Sequence, residues 1–214
     1  MRIRFIPKNK ERYLFRAEKM LLRSLKKGDI ILTAPIPQTV TARFIDIVTL
    51  IVRKTFRGIT HSCIYLGDGY ILDIDFRPLA TGSDVTKLPL RQFLKNKIEY
   101  FGGLTVYVVK PKHYSKYRRE MVVAQSLSTF IGSGQNHTHS AIESMKLFFR
   151  HVFNRTKKYK ENLSYTTLWT CSHMVAHIFK KSGAKIGRRA SYTFTPATFA
   201  FSKYFTVKEK IVIK

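Results

Sequence analysis

The stretch THSCIYLGDGYILDIDF (residues 60–76) is the clearest β signal in the chain, with two β-rich runs on either side of Gly67-Asp68-Gly69. β-Branched and aromatic residues around a short, glycine-containing turn are typical of a β-hairpin. The sequence therefore predicts two antiparallel strands here, and the other segments are interpreted around them.

The length of the turn determines which side chains share a face, because successive residues of a strand point to opposite faces. A two-residue turn pairs residue 61 with residue 76 and places both aspartates of the second run on the face opposite His61. A three-residue turn pairs residue 61 with residue 75 instead. The side chains that then share one face are His61, Cys63, Asp73 and Asp75. Glycine at the third turn position favours the three-residue turn, because such turns end with a left-handed residue.

The remaining segments predict strands and helices without a regular β–α–β order. Further strands are expected at residues 29–33, 105–110 and 207–214. Helices are expected at residues 10–27, 38–56, 89–95, 114–131 and 171–182, with a short one that begins at Thr195-Pro196. The apolar side of the helix at 114–131 is expected at Tyr117, Met121, Ala124 and Leu127. This order predicts an α+β fold with a mainly antiparallel sheet.

The N-terminal segment, residues 1–27, is expected to hold a basic amphipathic helix, since apolar residues recur at helical spacing among lysines and arginines. These apolar residues are Leu14, Ala17, Leu21 and Leu25. Such a helix either packs on its own domain or rests on a membrane surface. The rest of the chain, residues 28–214, is predicted to be one domain with a basic insertion at about residues 133–165.

The charge of the chain is unusual: 39 lysines and arginines against 13 aspartates and glutamates give a formal net charge of +26. This excess predicts attraction to an anionic polymer or surface, such as nucleic acid, anionic lipid or a cell-wall polymer. A hydrophobic content of 44% excludes an intrinsically disordered chain. Composition does not indicate an oligomeric state.

Neither a signal peptide nor a transmembrane helix is predicted. The most apolar predicted helix, residues 38–56, carries charged side chains within the length that a bilayer requires. These are Arg43, Asp46, Arg53 and Lys54. The basic N-terminus is not followed by an apolar signal core, so a simple secreted protein is not favoured. A cytoplasmic, membrane-peripheral or virion-delivered protein agrees with these features, and the sequence does not choose among them.

Cys171 begins a predicted helix, CSHMVAHIFKKSG, and lies directly above its apolar side. That side consists of Met174, Val175, Ile178 and Phe179. The positive end of a helix dipole lowers the pKa of a thiol, and the unpaired N–H groups there can hold an oxyanion. A cysteine nucleophile also needs an imidazole, which His61 would supply, oriented by Asp73 or Asp75. The alternative is a cysteine that only packs in the core.

Four blocks of the chain resemble, in order, the circularly permuted papain-like branch of the NlpC-type cell-wall peptidase superfamily. This branch includes the YiiX-like amidases and their lecithin:retinol acyltransferase-like relatives. The blocks are KGDIIL (27–32), THSCIYLGDGYILD (60–73), TCSHMVAHIFKKSGAKI (170–186) and TPATFAFSKYF (195–205). Histidine before cysteine is the permuted order of that branch. The resemblance implies a permuted papain-like fold with the nucleophile helix packed against the sheet.

The resemblance also implies a Cys-His-Asp triad, with Cys171 as nucleophile, His61 as general base and Asp73 as orienting group. The expected activity is that of a cysteine-dependent hydrolase, an amidase or peptidase, which cleaves amide or ester bonds of cell-envelope peptides through a thioester. The alternatives are a lipid acyl hydrolase or acyltransferase at a membrane surface, and a non-enzymatic protein that binds nucleic acid or another polyanion, as in a virion. Thr170 and His173 differ from the residues common in the cell-wall peptidases, which argues against a simple transfer of murein specificity.

No cofactor and no metal site are predicted. His173 and His177 lie four residues apart on one predicted helix, a spacing that suits a metal pair, and His137 and His139 add two imidazoles. Zinc sites need further ligands at an organised spacing. Because the helical pair continues into Lys180-Lys181, solvated histidines are the favoured interpretation.

Overall fold

The structure, a computed structural model, describes residues 1–7, 12–36, 58–74, 85–132, 171–187 and 194–214. These residues form seven strands and five helices. The strands are β1 (Arg2–Ile6), β2 (Ile30–Pro35), β3 (His61–Gly67), β4 (Tyr70–Ile74), β5 (Val85–Pro89), β6 (Leu104–Pro111) and β7 (Phe205–Ile213). The helices are α1 (Tyr13–Ser24), α2 (Leu90–Phe101), α3 (Lys116–Gly132), α4 (Cys171–Lys181) and α5 (Pro196–Phe201). The helix predicted at 38–56 and the insertion predicted at about 133–165 lie outside the described residues.

The seven strands form one mixed sheet in the order β1-β7-β6-β2-β3-β4-β5. β1 and β7 run parallel, and the other described neighbours are antiparallel. The prediction of an α+β fold with a mainly antiparallel sheet is therefore confirmed. The hairpin of residues 60–76 supplies β3 and β4, and β5 completes that side of the sheet.

Helices cover both faces of the sheet, and alternate side chains of each central strand are buried on each face. One apolar cluster joins α3, α4 and α5 to the sheet and includes Ile64 and Leu66 of β3. The other joins α1 and α2 to the sheet and includes Cys63 and Tyr65 of the same strand. Burial of each large apolar side chain stabilises the folded state by about 1.5–3 kcal/mol. Burial on both faces thus fixes the position of β3, whose first residue is His61.

α4 packs against the sheet through the side that its sequence predicts. The side chains of this stripe, Met174, Val175, Ile178 and Phe179, are completely buried. The chain leaves the helix at Gly183, where φ is +71°, a conformation common after a helix and accessible to glycine. The helix that begins with Cys171 is therefore held on the same sheet that carries His61.

The N-terminal segment packs against the sheet and α2. Ala17 and Leu21 of α1 are completely buried, so the packed interpretation of the apolar side of this helix is confirmed. β1, which precedes this helix, was not predicted from the sequence. Backbone pairing with β7 holds this strand in place, whereas the side chains of Ile3 and Phe5 are exposed and form no buried apolar face. Within the described ranges, no helix is both long and apolar enough to cross a bilayer.

The predicted apolar side of α3 is wrong except at its last position. Tyr117, Met121 and Ala124 are exposed, whereas Leu127 is partly buried against the cluster that joins α3, α4 and α5 to the sheet. The buried side consists instead of Val122, Val123 and Ser126. The reason is Arg119, whose Nη1 donates a 2.5 Å hydrogen bond to the carboxylate of the buried Asp29. Because residues three and seven positions after Arg119 lie near its side of the helix, they also turn toward the sheet.

Candidate active site

The hairpin between β3 and β4 turns through two residues, Asp68 and Gly69, with φ angles of +53° and +80°. Two successive positive φ angles are typical of a type I′ turn. Gly67 pairs with Tyr70 and is therefore part of β3. The predicted three-residue turn is wrong in its length.

A β-bulge in β3 nevertheless gives the register that a three-residue turn predicts. Leu66 is the extra residue, so the two strands slip by one position before Tyr65. The pairs beyond the bulge are Tyr65 with Ile71 and Ile64 with Leu72. Continued along the strands, this register places His61 and Asp73 on the same face of the hairpin.

His61 and Asp73 form the central contact of the site. Nε2 of His61 lies 2.5 Å from Oδ1 of Asp73, whose side chain is only 2% exposed. The imidazole also stacks on the ring of Phe93, with centroids 6.1 Å apart. Since Nε2 is bound to the carboxylate, Nδ1 is the ring nitrogen left for a second partner.

The surroundings of His61 favour its protonated form. Burial opposes the charged imidazolium, but the charge and hydrogen bond of Asp73 and the charge of Cys171 together outweigh it. These charges raise the pKa of His61 to about 9, against the opposing charge of Lys97. The imidazole is therefore protonated at neutral pH.

Cys171, the first residue of α4, is the second partner of this imidazole. Burial alone would raise the pKa of its thiol. The positive charge of His61, a hydrogen bond with its side chain and the neighbouring Ser62 together outweigh burial. The pKa of Cys171 is therefore lowered, which favours the nucleophilic thiolate.

Cys63 lies two residues after His61 but has a different environment. It is completely buried, and its Sγ lies 3.8 Å from the carbonyl oxygen of Ile31. Burial and the negative charge of Asp73 raise the pKa of Cys63 well above its usual range. Both cysteines are free thiols, and of the two Cys171 has the electrostatic properties of a nucleophile.

Two contributors to this site, Ser62 and Lys97, are not predicted from the sequence. Ser62 is completely buried beside His61 on β3 and interacts with the thiol of Cys171. Lys97 belongs to α2, beyond the end of the helix predicted at 89–95, and its Nζ lies 4.0 Å from Oδ2 of Asp73. Extending that helix to Gly102, where φ is +76°, would have placed Lys97 one turn after the buried Phe93.

Other residues singled out in the sequence are not part of the candidate triad. Those outside the described residues are Asp75, Thr170, His137 and His139. His173 and His177 lie half-buried on α4, where burial and two neighbouring lysines lower the pKa of His177. Among the described residues there is no group of three or more side chains that could hold a metal ion.

No protein-family model matches the chain, and no curated protein matches it either. In the candidate site a thiol, an imidazole and a carboxylate come together from α4, β3 and β4, although Cys171 is distant in sequence from both His61 and Asp73.

Proposed function

We propose that this chain is a cysteine-dependent hydrolase of amide or ester bonds, with Cys171 as nucleophile, His61 as general base and Asp73 as orienting group. The observation that carries the proposal is the convergence of these three side chains, with Nε2 of His61 2.5 Å from Oδ1 of Asp73. The lowered pKa of Cys171 and the raised pKa of His61 agree with it. A cysteine that only packs keeps a raised pKa, as Cys63 does, because burial is not outweighed by nearby positive charge. The paired shifts favour a thiolate–imidazolium pair over a structural thiol.

The arrangement of the elements supports a permuted papain-like fold as part of this proposal. The helix that begins with the nucleophile packs on the strand that carries the base, and the adjacent antiparallel strand carries the carboxylate. His61 precedes Cys171 in the chain, as in the family that the four blocks resemble.

In the first half of the proposed reaction, the Cys171 thiolate attacks the carbonyl carbon of the substrate and forms a C–S bond. The electron pair of the carbonyl moves to its oxygen, which N–H groups at the start of α4 stabilise. The intermediate collapses as the bond to the leaving group breaks. The imidazolium of His61 gives its proton to the leaving amine or alcohol, which leaves a thioester.

In the second half, neutral His61 takes a proton from water while the water oxygen attacks the thioester carbonyl. The C–S bond then breaks, the acid product leaves, and the thiolate–imidazolium pair is restored. Asp73 holds Nε2 of the imidazole throughout, so that Nδ1 stays directed at Cys171.

The proposed substrates are peptides or amides of the cell envelope, and acylated lipids are the second class. The resemblance of the four blocks supports both, and the net charge of +26 favours a substrate on an anionic surface. Purified cell-wall sacculi and anionic phospholipid vesicles distinguish the two classes. A wall enzyme releases soluble peptide fragments from sacculi, whereas a lipid enzyme releases fatty acid or lysolipid from vesicles.

A non-enzymatic polyanion-binding protein is the second candidate function, and the net charge of +26 favours it. It predicts salt-dependent binding to DNA that Cys171→Ala and His61→Ala both leave intact. It also predicts no turnover of any acyl substrate.

The proposed hydrolase is tested by turnover of these substrates in single variants. Cys171→Ala and His61→Ala are each expected to reduce the rate on the order of 10³-fold or more, because each removes a group that the reaction requires. Cys63→Ala is the matched control and is expected to retain most of the activity. Turnover that persists in Cys171→Ala would exclude this cysteine as the nucleophile.

A further inference from the structure

Lys97 is a lysine of α2 that is directed into the molecule. Its side chain is 13% exposed, whereas that of Lys95 is 51% exposed and pairs with Glu99 on the helix surface. The ammonium of Lys97 lies 5.6 Å from the centre of the Phe93 ring, which also stacks on His61. Lys97 therefore reaches the candidate site from the side of α2.

Asp73 is the charged group that Lys97 contacts. Its Oδ1 lies 2.5 Å from Nε2 of His61, and its Oδ2 lies 4.0 Å from Nζ of Lys97. Negative charge with so little access to water is stabilised by positive charge close to it. The imidazolium supplies that charge before acylation, but His61 is neutral in the thioester stage. Lys97 is then the cation that remains within ion-pair distance of Asp73 in the described part of the chain.

Four elements place titratable groups around His61. β3 contributes Cys63, β4 contributes Asp73, α2 contributes Lys97 and α4 contributes Cys171. Cys63 stays neutral near neutral pH, because its pKa is raised. Asp73 and Cys171 favour the imidazolium, whereas the charge of Lys97 opposes it. The charge of Lys97 thus attracts the carboxylate of Asp73 and at the same time makes the imidazolium of His61 easier to deprotonate.

We propose that Lys97 is a positioning residue of this site, which balances the negative charge of Asp73 through both halves of the reaction and eases the release of the proton from His61. The catalytic consequence rests on the proposed hydrolase function, whereas the electrostatic coupling is a property of the folded chain. Lys97 acts through Asp73 and His61 and not on the substrate.

The coupling is tested by an NMR titration of the His61 ring protons in the full chain. Lys97→Met removes the charge but keeps an unbranched apolar stem against Phe93, so its main effect is electrostatic. We expect the titration midpoint of His61 to move upward by roughly one pH unit in this variant. Lys95→Met, on the same helix but exposed, is the matched control and is expected to titrate like the wild type, as is Lys97→Arg.

Equal midpoints in wild type, Lys97→Met and Lys95→Met would overturn the proposal. If circular dichroism shows that Lys97→Met does not fold, Lys97→Gln carries the same test. Turnover of the acyl substrates, measured beside the His61 titration, then separates the two proposals. A shifted His61 titration without turnover of any acyl substrate leaves the coupling intact and contradicts the hydrolase. Turnover that requires Cys171 and His61, with a His61 titration that Lys97→Met leaves unchanged, contradicts the role of Lys97 alone.

Discussion

Cys63 and Cys171 show how the surroundings of a single residue determine the reactivity of a thiol. Burial opposes the thiolate form of both side chains. Cys171 overcomes this cost because His61 and Ser62 stabilise negative charge on its sulfur, whereas Asp73 adds a further penalty at Cys63. Alternation along β3 predicted that Cys63 would share a face with His61. The sequence indicated Cys171 as the nucleophile through its place at a helix N-terminus. The contribution of Ser62 could not be read from the sequence, because it depends on contacts between distant segments.

The activity should depend on pH in a way that these two shifts define. The activity is expected to rise as Cys171 loses its proton, and the lowered pKa of this thiol shifts that rise to lower pH. It is expected to fall as pH rises through about 9, where His61 loses the proton that the leaving group needs. Asp73→Asn removes the charge that favours the imidazolium, so the alkaline limb should move to lower pH. The measurement is kcat/KM against pH for both proteins.

An alkaline limb that keeps its position in Asp73→Asn would contradict this role of Asp73. Thr86→Val is a suitable control, because the Thr86 hydroxyl donates a 3.5 Å hydrogen bond to the backbone carbonyl of Asp73 and not to its carboxylate. Its pH profile is expected to match that of the wild type.

Among the elements, the β3–β4 hairpin was the most predictable and yet the most instructive. Both strands were expected from residues 60–76, and so was the shared face of His61 and Asp73. The backbone path was not expected: a bulge at Leu66 and a two-residue turn replace the predicted three-residue turn. Both solutions place the same side chains together, so the hydrophobic pattern specifies the register but not the backbone path.

The bulge requires a positive φ angle at Gly67, +105°, which glycine adopts far more readily than other residues. A Cβ added at this position would meet the side chain of Lys27, whereas one added at Gly69, with φ of +80°, meets nothing within 4 Å. Gly69→Ala is expected to lower the free energy of unfolding by about 1–2 kcal/mol, the usual cost of a left-handed residue. Gly67→Ala should lower it further, because it adds crowding and lies farther from the left-handed helical region. Urea denaturation measures both, and equal losses would contradict the demand placed on Gly67.

Across the whole molecule, the parts that local patterns encode were predictable and those that long-range contacts determine were not. The buried stripe of α4 and its end at Gly183 follow from spacing and composition alone. The parallel pairing of β1 with β7 joins the two ends of the described chain, and no nearby residue signals it. The ion pair of Arg119 with Asp29 likewise overrides the apolar pattern of α3.

The net charge of +26 is a property of the whole chain, and it predicts binding to anionic surfaces. Affinity for double-stranded DNA or for anionic vesicles is expected to fall steeply with rising salt, because binding releases counterions. Titrations of the full chain at several NaCl concentrations measure this slope. Cys171→Ala is expected to bind like the wild type, since a single neutral substitution leaves the charge unchanged. Binding that salt does not weaken would contradict an electrostatic origin.

The most direct test of whether His61 activates Cys171 is alkylation of the full chain by iodoacetamide. Mass spectrometry then identifies the modified cysteine. We predict that Cys171 is modified and Cys63 is protected, and that Cys171 already reacts rapidly at neutral pH. In His61→Ala the same reaction should become slow at neutral pH and accelerate only near the pKa of an ordinary thiol, about 8.5. Preferential modification of Cys63, or a Cys171 rate that His61→Ala leaves unchanged, would contradict the thiolate–imidazolium pair on which the proposed enzyme depends.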